Sequence, residues 1–99
     1  MYVAVSRITL HLLASQSLKS KRGVVRSLVA RVRQRFNVAI AETGDADRWQ
    51  VAVLGLACVS NSPSHATEMV DEAVRFIERE ILGRAEVVDC QSEVLPGLE

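Results

Sequence analysis

The first 41 residues of this 99-residue chain contain no acidic side chain. They carry Arg7, Lys19, Lys21, Arg22, Arg26, Arg31, Arg33 and Arg35, whereas every Asp and Glu lies at or beyond Glu42, so a net charge of zero conceals two oppositely charged halves. Such asymmetry points to a polyanionic partner and says nothing of a reaction. Cysteine is scarce too. Cys58 and Cys90 stand without CxxC or Cys/His spacing, which excludes a disulfide framework or a zinc site and leaves them as small core fillers. His11 and His65 fall on different elements, the acids show neither HExxH nor EF-hand spacing, and GxSxG, GxGxxG and Walker A runs are missing. No catalytic constellation, no metal and no cofactor is therefore expected. A long apolar run is also lacking: Met1 to Leu13 is broken by Ser6, Arg7, Thr9 and His11, too short and too polar to span a bilayer. It has no basic n-region or small-residue cleavage site, which predicts a cytoplasmic protein with no membrane partner.

What is present suits one core. With 48% hydrophobic and 24% charged residues spread along its length, the chain reads as a single domain over residues 1–99. Residues 2–13 have the roughly period-two, β-branched pattern of a strand. From Leu18 to Phe36 the period becomes helical, with Leu18, Val25, Leu28, Val29, Val32 and Phe36 on one face. Residues 37–43 and 49–60 read as strands joined by a Gly- and Asp-containing hairpin turn. Ser62 and Pro63 start a second helix as N-cap and first-turn proline, and Gly83 closes it. A last strand covers residues 84–94. The order βαββαβ predicts an α+β fold, the ferredoxin-like plait: a four-stranded antiparallel sheet, ordered 4-1-3-2, with two helices on one face. In that order Cys58 and Cys90 lie two strands apart, beyond disulfide reach.

At 100° per residue, Lys19, Arg22, Arg26 and Arg33 share a stripe about 60° wide beside the apolar face of the first helix. Lys21 lies near the same N-terminus, where a Ser-rich loop (Ser15, Gln16, Ser17) and the helix dipole favour phosphate. These five cations are the candidate anion- or RNA-binding residues. Arg31 and Arg35 lie on the opposite flank. A competing assignment is internal, because the second helix carries Glu68, Asp71, Glu72, Glu78 and Glu80 and would lie alongside. The overall pI near 6.7 permits a basic patch without making the whole domain basic.

Aromatic residues are few, and Phe36 and Phe76 belong to the helices, so the open sheet face lacks the rings on which RNA-binding plaits stack bases. RNA recognition would go through phosphates or shape. The strand over residues 49–60 is apolar on both parities, and the edge residues 38–41 lack the charges that block edge pairing. This predicts a homodimer, with Val3, Val5, Trp49, Val51 and Val53 as its surface or as packing positions. Trp49 is read as a packing anchor.

The run Ser17-Leu18-Lys19-Ser20-Lys21-Arg22, with Arg35-Phe36-Asn37-Val38, Ala41-Glu42, Asp47, Trp49-Gln50 and Leu54-Gly55, closely resembles the YlxP-like family of small bacterial proteins of unknown function. The resemblance covers almost the whole chain. It implies a ferredoxin-like domain and, because the family's genes often neighbour those of translation initiation factor 2 and ribosome-binding factor A, a link to RNA or a ribosomal subunit. Gly23 inside the helix and Thr43-Gly44 after Glu42 depart from the family's usual pattern. The resulting expectation is a non-enzymatic, translation-linked polyanion binder. The alternative is a homodimeric interaction or small-ligand-binding module without a nucleic-acid role. An acylphosphatase-like activity is disfavoured, since the turn Ala14-Ser15-Gln16-Ser17 has neither the arginine nor the glycine-rich loop that cradles phosphate in those enzymes.

Overall fold

The computed structural model describes residues 1–13 and 16–98. Its elements run β1 (Tyr2–Leu12), α1 (Leu18–Arg35), β2 (Ala39–Gly44), β3 (Val51–Ser60), α2 (Pro63–Glu80) and β4 (Ala85–Pro96). The sheet is ordered β2-β3-β1-β4 with every neighbouring pair antiparallel, which is the expected plait read from its other edge. The strand periodicity decides which side meets the helices. Ala4, Ile8, Leu10 and Leu12 on β1, and Ala52, Leu54, Leu56 and Cys58 on β3, are buried. Alternate residues of both strands form the open face.

Against the buried side α1 places Val25, Leu28 and Val32, and α2 places Ala66, Val70, Ala73 and Ile77, each at helical spacing. Burying a side chain such as Ile8, Leu54 or Ile77 contributes roughly 1.5–3 kcal/mol, and these positions make one continuous core. Phe36 meets Phe76 edge to face with centroids 5.5 Å apart, closing the core between the helix ends.

Several boundaries differ from the sequence expectation for physical reasons. Asp45, not Gly44, takes the left-handed position of the hairpin (φ 54°), so Gly44 remains in β2 and β3 begins only at Val51. Helix α2 ends at Glu80. Gly83 (φ 80°) turns the chain three residues later, while Arg84 and Ala85 N–H both donate to Ile81 O. Strand β4 continues to Pro96 because Tyr2 pairs with Pro96 and Gly97 N–H donates to Met1 O. Cys58 is buried as expected, but Cys90 is exposed: α2 lies chiefly on β1 and β3, leaving most of β4 outside the core. Both thiols are free, on strands separated by β1.

Candidate polyanion-binding surface

Helix α1 begins at an N-cap serine. Ser17 has extended backbone (φ −162°), and its Oγ accepts from Ser20 N–H at 3.1 Å, satisfying one of the donors left open at a helix start. Ser15 of the preceding loop lies outside the described residues. No acid occupies the first turn of α1, so the partial positive charge there is not offset locally. Lys19, Arg22 and Arg26 follow on consecutive turns. All three are exposed, and among the described residues none of them forms a hydrogen bond or an ion pair.

The structure separates the two flanks of α1. Arg33, which belongs to the same stripe as Lys19, Arg22 and Arg26, donates from Nη2 to Ile40 O at 2.9 Å and so marks that stripe as the side facing the β2 edge. The opposite flank meets α2: Arg31 Nη1 lies 2.6 Å from Glu80 Oε2, and the Arg35 guanidinium sits 4.7 Å from the centroid of Phe76. Internal pairing with α2 therefore engages Arg31. It does not reach Lys19, Arg22 or Arg26.

Lys21 must leave the candidate set. Its side chain is only 1% exposed, and its ammonium donates to Asp45 O at 2.6 Å and Arg48 O at 2.7 Å and pairs with Glu42 Oε2 at 2.9 Å. Those three close acceptors match the three ammonium protons; Ala46 O, at 3.5 Å, is a weaker fourth. Glu42 Oε2 is itself buried and, among the described residues, has no other partner. This ammonium holds the β2–β3 hairpin against α1 and is closed to an outside anion. Its signal in the sequence was positional: Lys21 precedes Val25, Leu28 and Val32 by four, seven and eleven residues, so it shares their buried face.

On the open face, Val3 and Val5 of β1 and Val51 and Val53 of β3 are half-buried but lie at opposite ends of the ladder: Val3 and Val5 pair with Val59 and Ala57, whereas Val51 and Val53 pair with His11 and Thr9, so the expected surface is not one patch. Trp49 joins neither pair. It lies in the hairpin before β3 and is 40% exposed, so the packing-anchor expectation is corrected. The tryptophan's position follows from the late start of β3. His11 is exposed on β1 and His65 in the first turn of α2. Among the described residues, no three His, Cys, Asp or Glu side chains gather as a metal site would require, and no helix is long and apolar enough to cross a membrane.

The architecture defines the class first: a ferredoxin-like plait with an exposed cationic flank on its first helix. At 14% identity it shares its fold with a de novo designed ferredoxin-fold protein solved by NMR, with a TM-score of 0.57 over 100% of this chain and 88% of that one. A putative chlorite dismutase, also 14% identical, matches with a TM-score of 0.52 over 95% of this chain and 44% of its own. These likenesses concern the fold alone. Residues 3–92 match the family described as protein of unknown function (DUF503), and the chain belongs to that family. It is 39% identical over 62 residues to the uncharacterized protein YlxP of Bacillus subtilis (strain 168), an alignment spanning 63% of this chain and 67% of that protein.

Proposed function

We propose that this protein is a non-enzymatic accessory factor that binds RNA, free or within a ribosomal subunit, by placing Lys19, Arg22 and Arg26 against the phosphate backbone. The observation carrying this reading is that these three cations are exposed and, among the described residues, partnerless on the flank of α1 turned away from the acidic helix. Nearby acids do not cancel them one for one, since Glu42 is engaged by Lys21 and Glu80 by Arg31. From Lys19 to Arg26 the helix rises roughly 10 Å, enough to meet successive phosphates rather than one. The central strands offer no aromatic residue on the open face, which favours backbone contacts over base stacking. The resemblance to YlxP-like proteins supplies the translational context. The non-enzymatic part of the reading rests on the missing nucleophile–base and phosphate-loop patterns.

The test is fluorescence anisotropy of duplex RNA over a salt series, beside co-sedimentation with ribosomal subunits. Three phosphate contacts give a slope of log affinity against log salt of about −2.7, taking duplex RNA to behave like duplex DNA. Arg22→Ala combined with Arg26→Ala leaves about −1 by the same relation. Absence of binding at low salt, or a slope that ignores these substitutions, contradicts the proposal.

A further inference from the structure

The two halves of the open sheet face differ in side-chain size, and each holds a shallow trough, the one over β1–β4 being about 300 Å³ among Val5, Arg7, Gln91 and Glu93. Reading across the register, one row runs Ala39, Ala57, Val5, Glu93 and the next runs Ala41, Gly55, Arg7, Gln91. The β2–β3 side of both rows is therefore small. It floors a shallow trough of about 430 Å³, with Arg33 on its rim and Thr43 leaning over its Gly55 end. The β1–β4 side carries Val5, Arg7 and Glu93, and the row beyond adds Val3 and Leu95, with Leu95 45% exposed and Val59, across from Val3 on β3, 61% exposed. An apolar patch of this kind on a sheet face calls for a cover.

We propose that a second copy of this chain covers the open face, related by a two-fold axis running parallel to the strands between β1 and β3. Such an axis keeps each row and exchanges the columns, so β1 lies on the partner's β3 and β4 on the partner's β2. Val5 then faces the partner's Ala57, Arg7 faces the partner's Gly55, and Glu93 comes over the partner's Ala39 beside the partner's Arg33. Large side chains meet small ones twice, once on each side of the axis, as an isologous interface requires. Charge agrees with shape. Arg33 commits one nitrogen to Ile40 O, leaving further guanidinium N–H groups for a carboxylate.

The face also has sufficient extent. At about 4.8 Å between strands and 3.3 Å per residue it measures roughly 20 Å by 30 Å, so pairing removes on the order of 1,200 Å² in total, at the lower end of the range for specific interfaces. RNA is a poorer occupant here, because Asp89 and Glu93 line the β4 side and would oppose phosphates. An unrelated protein would have to reproduce a complementarity the chain already has with itself.

Sedimentation equilibrium of the full chain from about 1 to about 100 µM tests the proposal, with an approach to twice the 10.9 kDa chain mass expected. Ala57→Arg fills the trough, and Glu93→Arg sets like charges together at both ends of the interface; each weakens dimerisation at least about ten-fold. Should Ala57→Arg perturb folding by circular dichroism, Glu93→Arg, at an exposed position, carries the same test. Mixing Glu93→Arg with Arg33→Glu restores a mixed dimer, because both cross-interface pairs are again opposite in sign. A wild-type monomer at the highest concentration overturns the inference. So does a dimer indifferent to Ala57→Arg and Glu93→Arg, which would use another surface, or a mixture that fails to associate.

Discussion

Lys21 Nζ and Glu42 Oε2 stand 2.9 Å apart, joining the first turns of α1 to the end of β2 beneath the hairpin. The pair is unequal in its surroundings. The lysine side chain is 1% exposed while the glutamate side chain is 24% exposed, so water assists the carboxylate but not the ammonium. What compensates the ammonium is the pair of hairpin carbonyls, Asp45 O and Arg48 O, brought round by the left-handed turn at Asp45.

Replacing Lys21 by Met keeps the volume and removes the charge, leaving Asp45 O, Arg48 O and the buried Glu42 oxygen without a donor. The expected loss is about 3 kcal/mol, in the range for breaking a buried ion pair. Glu42→Gln keeps an acceptor for the lysine and is expected to cost only about 1 kcal/mol. Urea denaturation of both variants checks this ordering. Equal effects would show that the carbonyls contribute little and that the ion pair alone holds the hairpin.

The plait was legible in the sequence because its period changes are clean and its apolar faces are continuous; even the strand order followed from the element order. The site was legible only in part. Helical angles placed Lys19, Arg22, Arg26 and Arg33 on one stripe, yet they could not say which flank would meet α2, since that depends on how two helices settle on a twisted sheet. Lys21 was misread because a charged residue on an apolar face is ordinarily solvated near a helix end. Its burial depends on carbonyls contributed by a loop more than twenty residues away, which one-dimensional periodicity does not register. Trp49 and Cys90 went astray for a shared reason: each sits where the helix layer or the strand stops, and element edges are set by tertiary contacts.

Arg31 provides the control for the cationic flank. Its contact with Glu80 is short, but its side chain is 52% exposed, so solvent screens the pair and its contribution is about 0–1 kcal/mol. Arg31→Ala is expected to leave the melting temperature within a few degrees of wild type and the RNA salt slope unchanged. Both measurements use one protein preparation. A slope reduced by Arg31→Ala as much as by Arg22→Ala would mean that total charge, rather than the free stripe, governs binding.

Gly55 answers to close approach rather than to an unusual turn. A Cβ at this position would lie 2.8 Å from Thr43 Cγ2 on the neighbouring strand, so Gly55→Ala forces the threonine to rotate or β2 to shift. The expected cost is about 1–2 kcal/mol. Combining it with Thr43→Ala removes the obstructing methyl, and the double variant is expected to be more stable than the sum of the single changes allows, by about 0.5–1 kcal/mol. Strict additivity in chemical denaturation would place the strain elsewhere.

The two cysteines predict a simple chemical distinction. Cys58 is buried among the core residues of β3, whereas Cys90 is exposed on β4, with its Sγ 3.7 Å from Ser6 Oγ. Thiol reagents act on accessible thiolate, so iodoacetamide under native conditions is expected to label Cys90 first and Cys58 only on the timescale of unfolding. Since β1 separates their strands, mild oxidation is expected to leave no bridge within the chain. Peptide mass spectrometry after timed labelling reads both outcomes. Prompt modification of Cys58 would contradict its burial beneath the helices, and a Cys58–Cys90 disulfide in folded protein would contradict the strand order from which the two-fold face is built.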